Sequence, residues 1–188
     1  MKAVYQNLSA NISRNTQYFS MFKYASRVRH ISIIGCGSGL SLLTAIAAQP
    51  ETIRVYNNSS QDVNQFQDIC AQVGIDFEFH VVDMSELKIQ PTDLLYLDTV
   101  HEGHVKASEL RLHAPRVSRY VLVPETYTHA HDPQPGITLP NNTQPCGIIH
   151  GINTFIVEFP KWHILEHVYY EPGLTVLVNR RGPEDDGR

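Results

Sequence analysis

Short apolar runs alternate along this chain with stretches in which apolar residues return every three or four positions. The second pattern predicts helices, because residues three and four apart share one helical face, and the first predicts strands buried on both sides. Helices are expected over Tyr18 to Arg27, Leu40 to Ala48, Gln61 to Val73, His104 to Ala114 and Ile148 to Phe159. In the third of these, Val63, Phe66, Ile69 and Cys70 fall on one side. Strands are expected over Ile31 to Ile34, Thr52 to Tyr56, Phe77 to Val82, Asp93 to Leu97 and Tyr120 to Val123. Strand and helix in turn imply a mainly parallel sheet covered on both faces. After the last helix, His163 to Tyr169 and Leu174 to Asn179 flank Pro172-Gly173, which predicts a final antiparallel hairpin. Between Thr126 and Cys146, Pro133, Pro135, Pro140 and Pro145 exclude regular structure, so a long loop is expected at the carboxyl end of the fifth strand.

The first strand runs into Gly35-Cys36-Gly37-Ser38-Gly39, and helical spacing resumes at Leu40. Glycines at a strand-to-helix corner permit positive φ and let backbone N–H groups approach a ligand at the sheet's carboxyl edge. They also serve close packing of helix on strand, so the turn suggests a nucleotide-type ligand without naming one.

Length and composition narrow the class. A chain of 188 residues buries a sizeable core, and residues 1–180 read as one α/β domain followed by a Gly-, Pro- and acid-rich tail, 181–188, expected to be disordered. The formal net charge of -4 gives no overall attraction for nucleic acid. Cys36, Cys70 and Cys146 are odd in number and widely spaced, which predicts reduced, buried thiols rather than a disulfide framework or zinc motif. The first residues lack an apolar signal core, and no stretch is long and apolar enough for a bilayer, so a cytoplasmic protein with no membrane partner is expected.

Five strand–helix units and a terminal hairpin resemble the class I S-adenosylmethionine-dependent methyltransferases, whose fold is a Rossmann-like, mainly parallel seven-stranded sheet. The run from Pro91 to Tyr120, with a strand ending in Asp98-Thr99-Val100-His101 and a helix carrying Glu109-Leu110, is similar to a small single-domain branch of that family, as is the closing Gly173-Leu-Thr-Val-Leu strand. The resemblance runs from about the glycine turn to Asn179. It implies S-adenosylmethionine as cofactor, held by Gly35, Cys36, Gly37, Ser38 and Gly39, with Asn57 at the ribose and Asp83 and Met84 at the adenine. Asp98, Glu125 and Thr126 resemble the magnesium-binding positions of metal-dependent O-methyltransferases, with Asp98, His101 and Glu125 as the catalytic set. The sequence departs from the family pattern at three places. Ile33 and Asn57 stand where the family carries acids, and Pro124-Glu125 replaces a His-Asp step.

Read as chemistry, Asp98 ends the fourth strand and Glu125 follows the fifth on the neighbouring edge, where open α/β sheets bind ligands, and oxygen donors of that kind suit magnesium. His101, three residues on, is a candidate general base or a partner to Asp98, since a free imidazole titrates near neutrality. Local roles compete: Asp98 can cap the next helix, His101 can bond locally, and Asp83 can cap a short turn. His129 and His131 in the long loop, with Asp98 or Glu125, also match the inventory of a non-haem iron site, although their spacing does not specify one. The expected activity is methyl transfer to a small hydroxylated or carboxylated metabolite. The alternatives are a degenerate methyltransferase fold with an interaction role, or the same fold turned to other metal-dependent chemistry. Tyr18, Phe19, Phe22 and Tyr24 give the leading helix an aromatic surface suited to its own core, an active-site lid or a homodimer interface.

Overall fold

A computed structural model of the protein describes residues 16–180. The predicted tail, 181–188, lies outside the described residues. Helix α1 spans Thr16–Ala25, and the units β1 His30–Ile34, α2 Leu40–Ala47, β2 Thr52–Asn57, α3 Asn64–Val73 and β3 Asp76–Val81 follow. The second half comprises β4 Thr92–Leu97, α4 Gly103–His113, β5 Val117–Pro124, α5 Ile148–Glu158, β6 Trp162–Val168 and β7 Leu174–Asn179. Each helix and strand lies where the apolar pattern places it, with ends moved by up to three residues. Helix α3 starts at Asn64 because Asn57 donates to the Ser59 carbonyl (3.1 Å) to close a turn, and Asp62 then accepts the Asn64 N–H (3.1 Å). Strand β5 begins earlier than expected, at Val117, where it pairs with Thr92 across an irregular register that its polar residues Ser118 and Arg119 disguise.

Seven strands form one sheet in the order β3-β2-β1-β4-β5-β7-β6, parallel from β3 through β5, with β7 antiparallel to both its neighbours. The chain winds outward from β1 through β2 to β3 and then returns to lay β4 on the other side of β1. That reversal opens a crevice beyond the carboxyl ends of β1 and β4, the usual ligand position in such sheets. Helices cover both faces. Met21, Ala25, Leu42 and Ile46 of α1 and α2 pack on Ile31, Ile33, Ile53 and Val55, whereas Leu110, Ile152 and Phe155 of α4 and α5 pack on Leu95, Leu97, Val121 and Val123. Of the aromatic residues on α1, Tyr24 is buried in the first core and Phe19 is exposed. Cys36 and Cys70 are buried free thiols, and Cys146 is partly exposed.

At the opposite edge, Asp93 joins three strands. Its carboxylate accepts the N–H groups of Arg29 (3.1 Å) and His30 (3.0 Å) and the Ser118 hydroxyl (2.7 Å). Burial opposes its ionisation, yet these donors outweigh burial and hold the carboxyl below its ordinary value. A depressed folded-state pKa stabilises the fold above the unfolded value, about 3.9, and that contribution is lost as pH falls through the folded value. Asp93→Asn should therefore cost about 1 kcal/mol at pH 7 and progressively less below pH of about 4, as read by denaturant melts of both proteins across that range. A difference that persists undiminished in acid would show that packing, not charge, is Asp93's contribution.

The predicted loop contains one short 3-10 turn, Pro140–Asn142, and is otherwise irregular. Its root is fixed by the hairpin turn: Pro172 O accepts Tyr127 N–H (3.1 Å) and Thr128 N–H (3.2 Å). Gly173, at φ +86°, permits this approach, since a Cβ there would lie 2.3 Å from Tyr127 N.

Candidate functional site

The glycine turn and the end of β4 are built as one unit. Ile34 O accepts the Asp98 N–H (2.9 Å), and Gly35, at φ +74°, passes so near that a Cβ would stand 1.9 Å from the Asp98 carbonyl oxygen. Gly37, at φ +40°, faces the Asp98 side chain, with Oδ2 3.5 Å from its Cβ position. Gly39, at φ +80°, precedes α2 and abuts Phe66. The exposed edge of this turn, Gly37 and Ser38, borders the crevice. Cys36 turns the other way, its thiol donating to Gln61 Oε1 (2.9 Å), and burial followed by the charge of Asp98 pushes that thiol's pKa up. In place of an acid, Ile33 is completely buried in the core.

The cap of α4 decides between the two roles open to Asp98. Glu102 occupies the N-cap and accepts Val105 N–H (2.8 Å), so Asp98 is not the helix cap. Its carboxylate, partly exposed, instead faces His101, whose Nε2 lies 3.6 Å from Oδ1, is buried and has no hydrogen-bond partner. The His129 ring stacks on His101 at 5.1 Å and 9°, and Gln134 N–H donates to the His101 carbonyl (2.8 Å). The long loop thus sets the plane of this imidazole.

Behind the corner, Thr99 donates to Glu109 Oε2 (2.7 Å), and Lys106, fully buried, donates to Thr99 Oγ1 (2.6 Å) and pairs with Glu109 (2.9 Å). The Glu109-Leu110 pair noted in the sequence thereby divides its work: Leu110 fills the core and Glu109 neutralises a buried ammonium beside the residue that follows Asp98.

Helix α1 adds residues whose contribution the sequence did not reveal. Gln17 donates to the Tyr96 hydroxyl (2.6 Å) inside the sheet, and Tyr18 lies near Ser38 of the glycine turn. Burial, and then the charges of Asp98 and Glu125, raise the Tyr18 pKa. Burial, and after it the same two carboxylates, raises the Tyr96 pKa. Glu125 follows β5 at φ +59°, a left-handed conformation that costs a non-glycine residue about 1 kcal/mol or more and is concentrated at functional sites. Thr126 follows, fully buried, with a hydroxyl oxygen that has no partner.

Towards β2 and β3, Asp83, Met84 and Asn58 bound a groove of 460 Å³. The polar groups here are engaged in their own turns. The Asn57 amide donates to Ser59, and Asp83 Oδ1 accepts the Ser85 N–H (2.9 Å) and hydroxyl (2.7 Å), which holds its carboxyl below the ordinary range. The iron inventory of the histidine loop does not converge: among the described residues, the His, Cys, Asp and Glu side chains that gather in threes within 4.8 Å are Glu102, His104 and Cys146. Neither His129 nor His131 belongs to that group.

No protein-family model and no curated protein matches the chain. Solved structures do resemble it. A protein from Corynebacterium glutamicum superposes with a TM-score of 0.66 at 13% identity, covering 95% of this chain and 90% of that one. An O-methyltransferase from Bacillus cereus, in complex with S-adenosylhomocysteine, gives 0.63 at 11% identity over 95% and 91% of the two chains. An O-methyltransferase of tomaymycin synthesis from Streptomyces achromogenes, in complex with S-adenosylmethionine, gives 0.58 at 13% identity over 88% and 80%. Identities this low carry the path of the backbone, and with the strand order they establish that this chain has the class I S-adenosylmethionine-dependent methyltransferase fold.

Proposed function

We propose that the protein transfers a methyl group from S-adenosylmethionine to an oxygen of a small hydroxylated or carboxylated acceptor. The observation that carries this reading is the meeting of the glycine turn, the Asp98 carboxylate and an unpartnered His101 Nε2 at the sheet's switch point. The turn suits such a cofactor, since Gly37, at φ +40°, holds a conformation that favours glycine and presents bare backbone at the crevice beside Asp98. When bound, S-adenosylmethionine supplies an electrophilic methyl on a sulfonium and leaves as S-adenosylhomocysteine.

Asp98, partly exposed at the crevice, accepts the proton of an acceptor hydroxyl, and the buried His101 Nε2, 3.6 Å from Oδ1, positions that carboxylate. The hydroxyl favours this arrangement over a carboxylate acceptor, which has no proton to surrender. His129, stacked on His101, and Gln134, bonded to its carbonyl, hold the ring in place. Asp98, Glu125 and Thr126 are the residues that would hold magnesium; their all-oxygen donor set suits the ion, and the orphaned Thr126 hydroxyl supports that fit. There the metal would lower the acceptor's pKa.

A second reading, a degenerate fold with an interaction role, draws on the Asn57 and Asp83 side chains, which are occupied within their own turns. One measurement separates the two. With S-adenosylmethionine or S-adenosylhomocysteine at about 100 times its dissociation constant, stability should rise by about 2.7 kcal/mol. For a chain of this size that is a rise of roughly 5–10 °C in melting temperature. An unchanged melting temperature at millimolar ligand would discard the methyl-transfer reading, and a further rise with magnesium would support Asp98 and Glu125 as its ligands.

A further inference from the structure

One turn beyond His101 lies a cluster that methyl transfer does not use. Glu102 and His104 open α4, and Cys146 ends the long loop just ahead of α5. A carboxylate oxygen, an imidazole nitrogen and the thiol sulfur come within 4.8 Å of one another. We propose that these three residues form a binding site for a thiolate-seeking divalent cation of the zinc class, which fastens the end of the loop to α4.

Donor chemistry is the first argument. Sulfur, nitrogen and oxygen from Cys, His and Glu suit zinc, whereas magnesium and calcium take oxygen alone. The distances agree: Cys146 Sγ lies 3.7 Å from Glu102 Oε1. Tetrahedral zinc with Zn–S of about 2.3 Å and Zn–O of about 2.0–2.2 Å sets its sulfur and oxygen ligands about 3.5 Å apart. Glu102 is fully buried and accepts Val105 N–H at Oε2 and Cys146 N–H at Oε1 (2.9 Å), yet each carboxylate oxygen keeps a second lone pair for a metal.

Rigidity is the second argument. A Cβ on Gly103 would lie 2.6 Å from Cys146 Sγ and 2.4 Å from the Gly147 carbonyl oxygen, and one on Gly151 would lie 2.0 Å from the Gly103 carbonyl oxygen. These glycines bring the first turns of α4 and α5 and the end of the loop into backbone contact, sealed by the Gly103 N–H to Cys146 O bond (2.8 Å). Glu102 and Cys146 are thereby preorganised, and only the exposed His104 side chain has to turn inward. Its ring already stands edge-on to His150 of α5, at 5.8 Å, which leaves the fourth position for water or for that second imidazole.

The proposal is independent of methyl transfer and is tested on the full, reduced chain by titration with Co²⁺, whose tetrahedral thiolate complexes absorb in the visible and carry a near-ultraviolet sulfur-to-metal charge-transfer band. One equivalent should produce both features, and Zn²⁺ should abolish them by displacement. Cys146→Ser should lose the charge-transfer band, and His104→Ala, altered at an exposed side chain, should bind about 10- to 100-fold more weakly or worse, the range that loss of even an outer partner of a metal ligand produces. A folded native protein without the band would overturn the site. So would a band that survives in Cys146→Ser, because the thiolate would then be Cys36 or Cys70.

Discussion

Asp98→Asn is expected to lower methyl transfer by about 10²- to 10⁴-fold, the range for loss of a positioned base system or a charge stabiliser, while leaving the fold intact. The structure supplies the reason the two effects should separate. Glu102, not Asp98, caps α4, and the Asp98 side chain meets His101 at 3.6 Å without sealing any buried backbone group. Losing a helix cap would cost about 1 kcal/mol; the melting temperature of Asp98→Asn should instead stay within roughly 2 °C of the native value. The check is paired: release of S-adenosylhomocysteine with the best acceptor from a screen of small hydroxylated compounds, and cofactor affinity by calorimetry. A variant that is destabilised but still turns over at the native rate would remove Asp98 from the chemistry.

Gly35→Ala should be the most damaging single added methyl group among the described glycines. Two penalties coincide there: a left-handed φ of +74° and a Cβ placed 1.9 Å from the Asp98 carbonyl oxygen, a backbone atom tied to Ile34 through the neighbouring N–H. The first alone is worth about 1 kcal/mol or more, and relief of the second requires the ends of β1 and β4 to part, so about 4 kcal/mol or more is expected in total. Gly136→Ala provides the control. Its φ of +83° is equally left-handed, but a Cβ there would meet nothing within 4 Å, and about 1 kcal/mol is expected. Urea melts of the two variants compare conformational strain alone with strain plus collision. Equal losses would mean that the glycine turn does not form the tight corner described above.

Much of this architecture was legible before any coordinates, and the reasons are local. Every helix and strand from α1 to β7 follows from short apolar runs or from apolar residues that return every third or fourth position, which is a property of neighbours in sequence. The helix start at Asn64 and the strand start at Val117 were less legible, because an Asn57 side-chain turn and a cross-strand register decide them. The glycine turn and the acidic ends of β4 and β5 could be placed at one edge by topology alone. Which of Asp98 and Glu102 caps α4 could not, since both precede the same helix and both can accept its N–H groups. That choice rests on a contact across 44 residues, where Glu102 also accepts the Cys146 N–H.

The remaining long-range features follow the same rule. Gln17 reaches Tyr96 across 79 residues, and no periodicity in α1 announces a donor for a buried phenol. His129 stacks on His101 because the hairpin turn at Pro172 holds the root of the loop. Cys146 looks like an isolated thiol in sequence and becomes a neighbour of Glu102 and His104 only because Gly103 and Gly151 let two helix ends and a loop meet. The sequence by itself determined the element order, the parallel sheet and the cleft's position, because periodicity and glycine placement act over a few residues. Only the tertiary structure decided which side chains share the cleft, because that depends on approach between segments whose separation along the chain leaves no repeating mark.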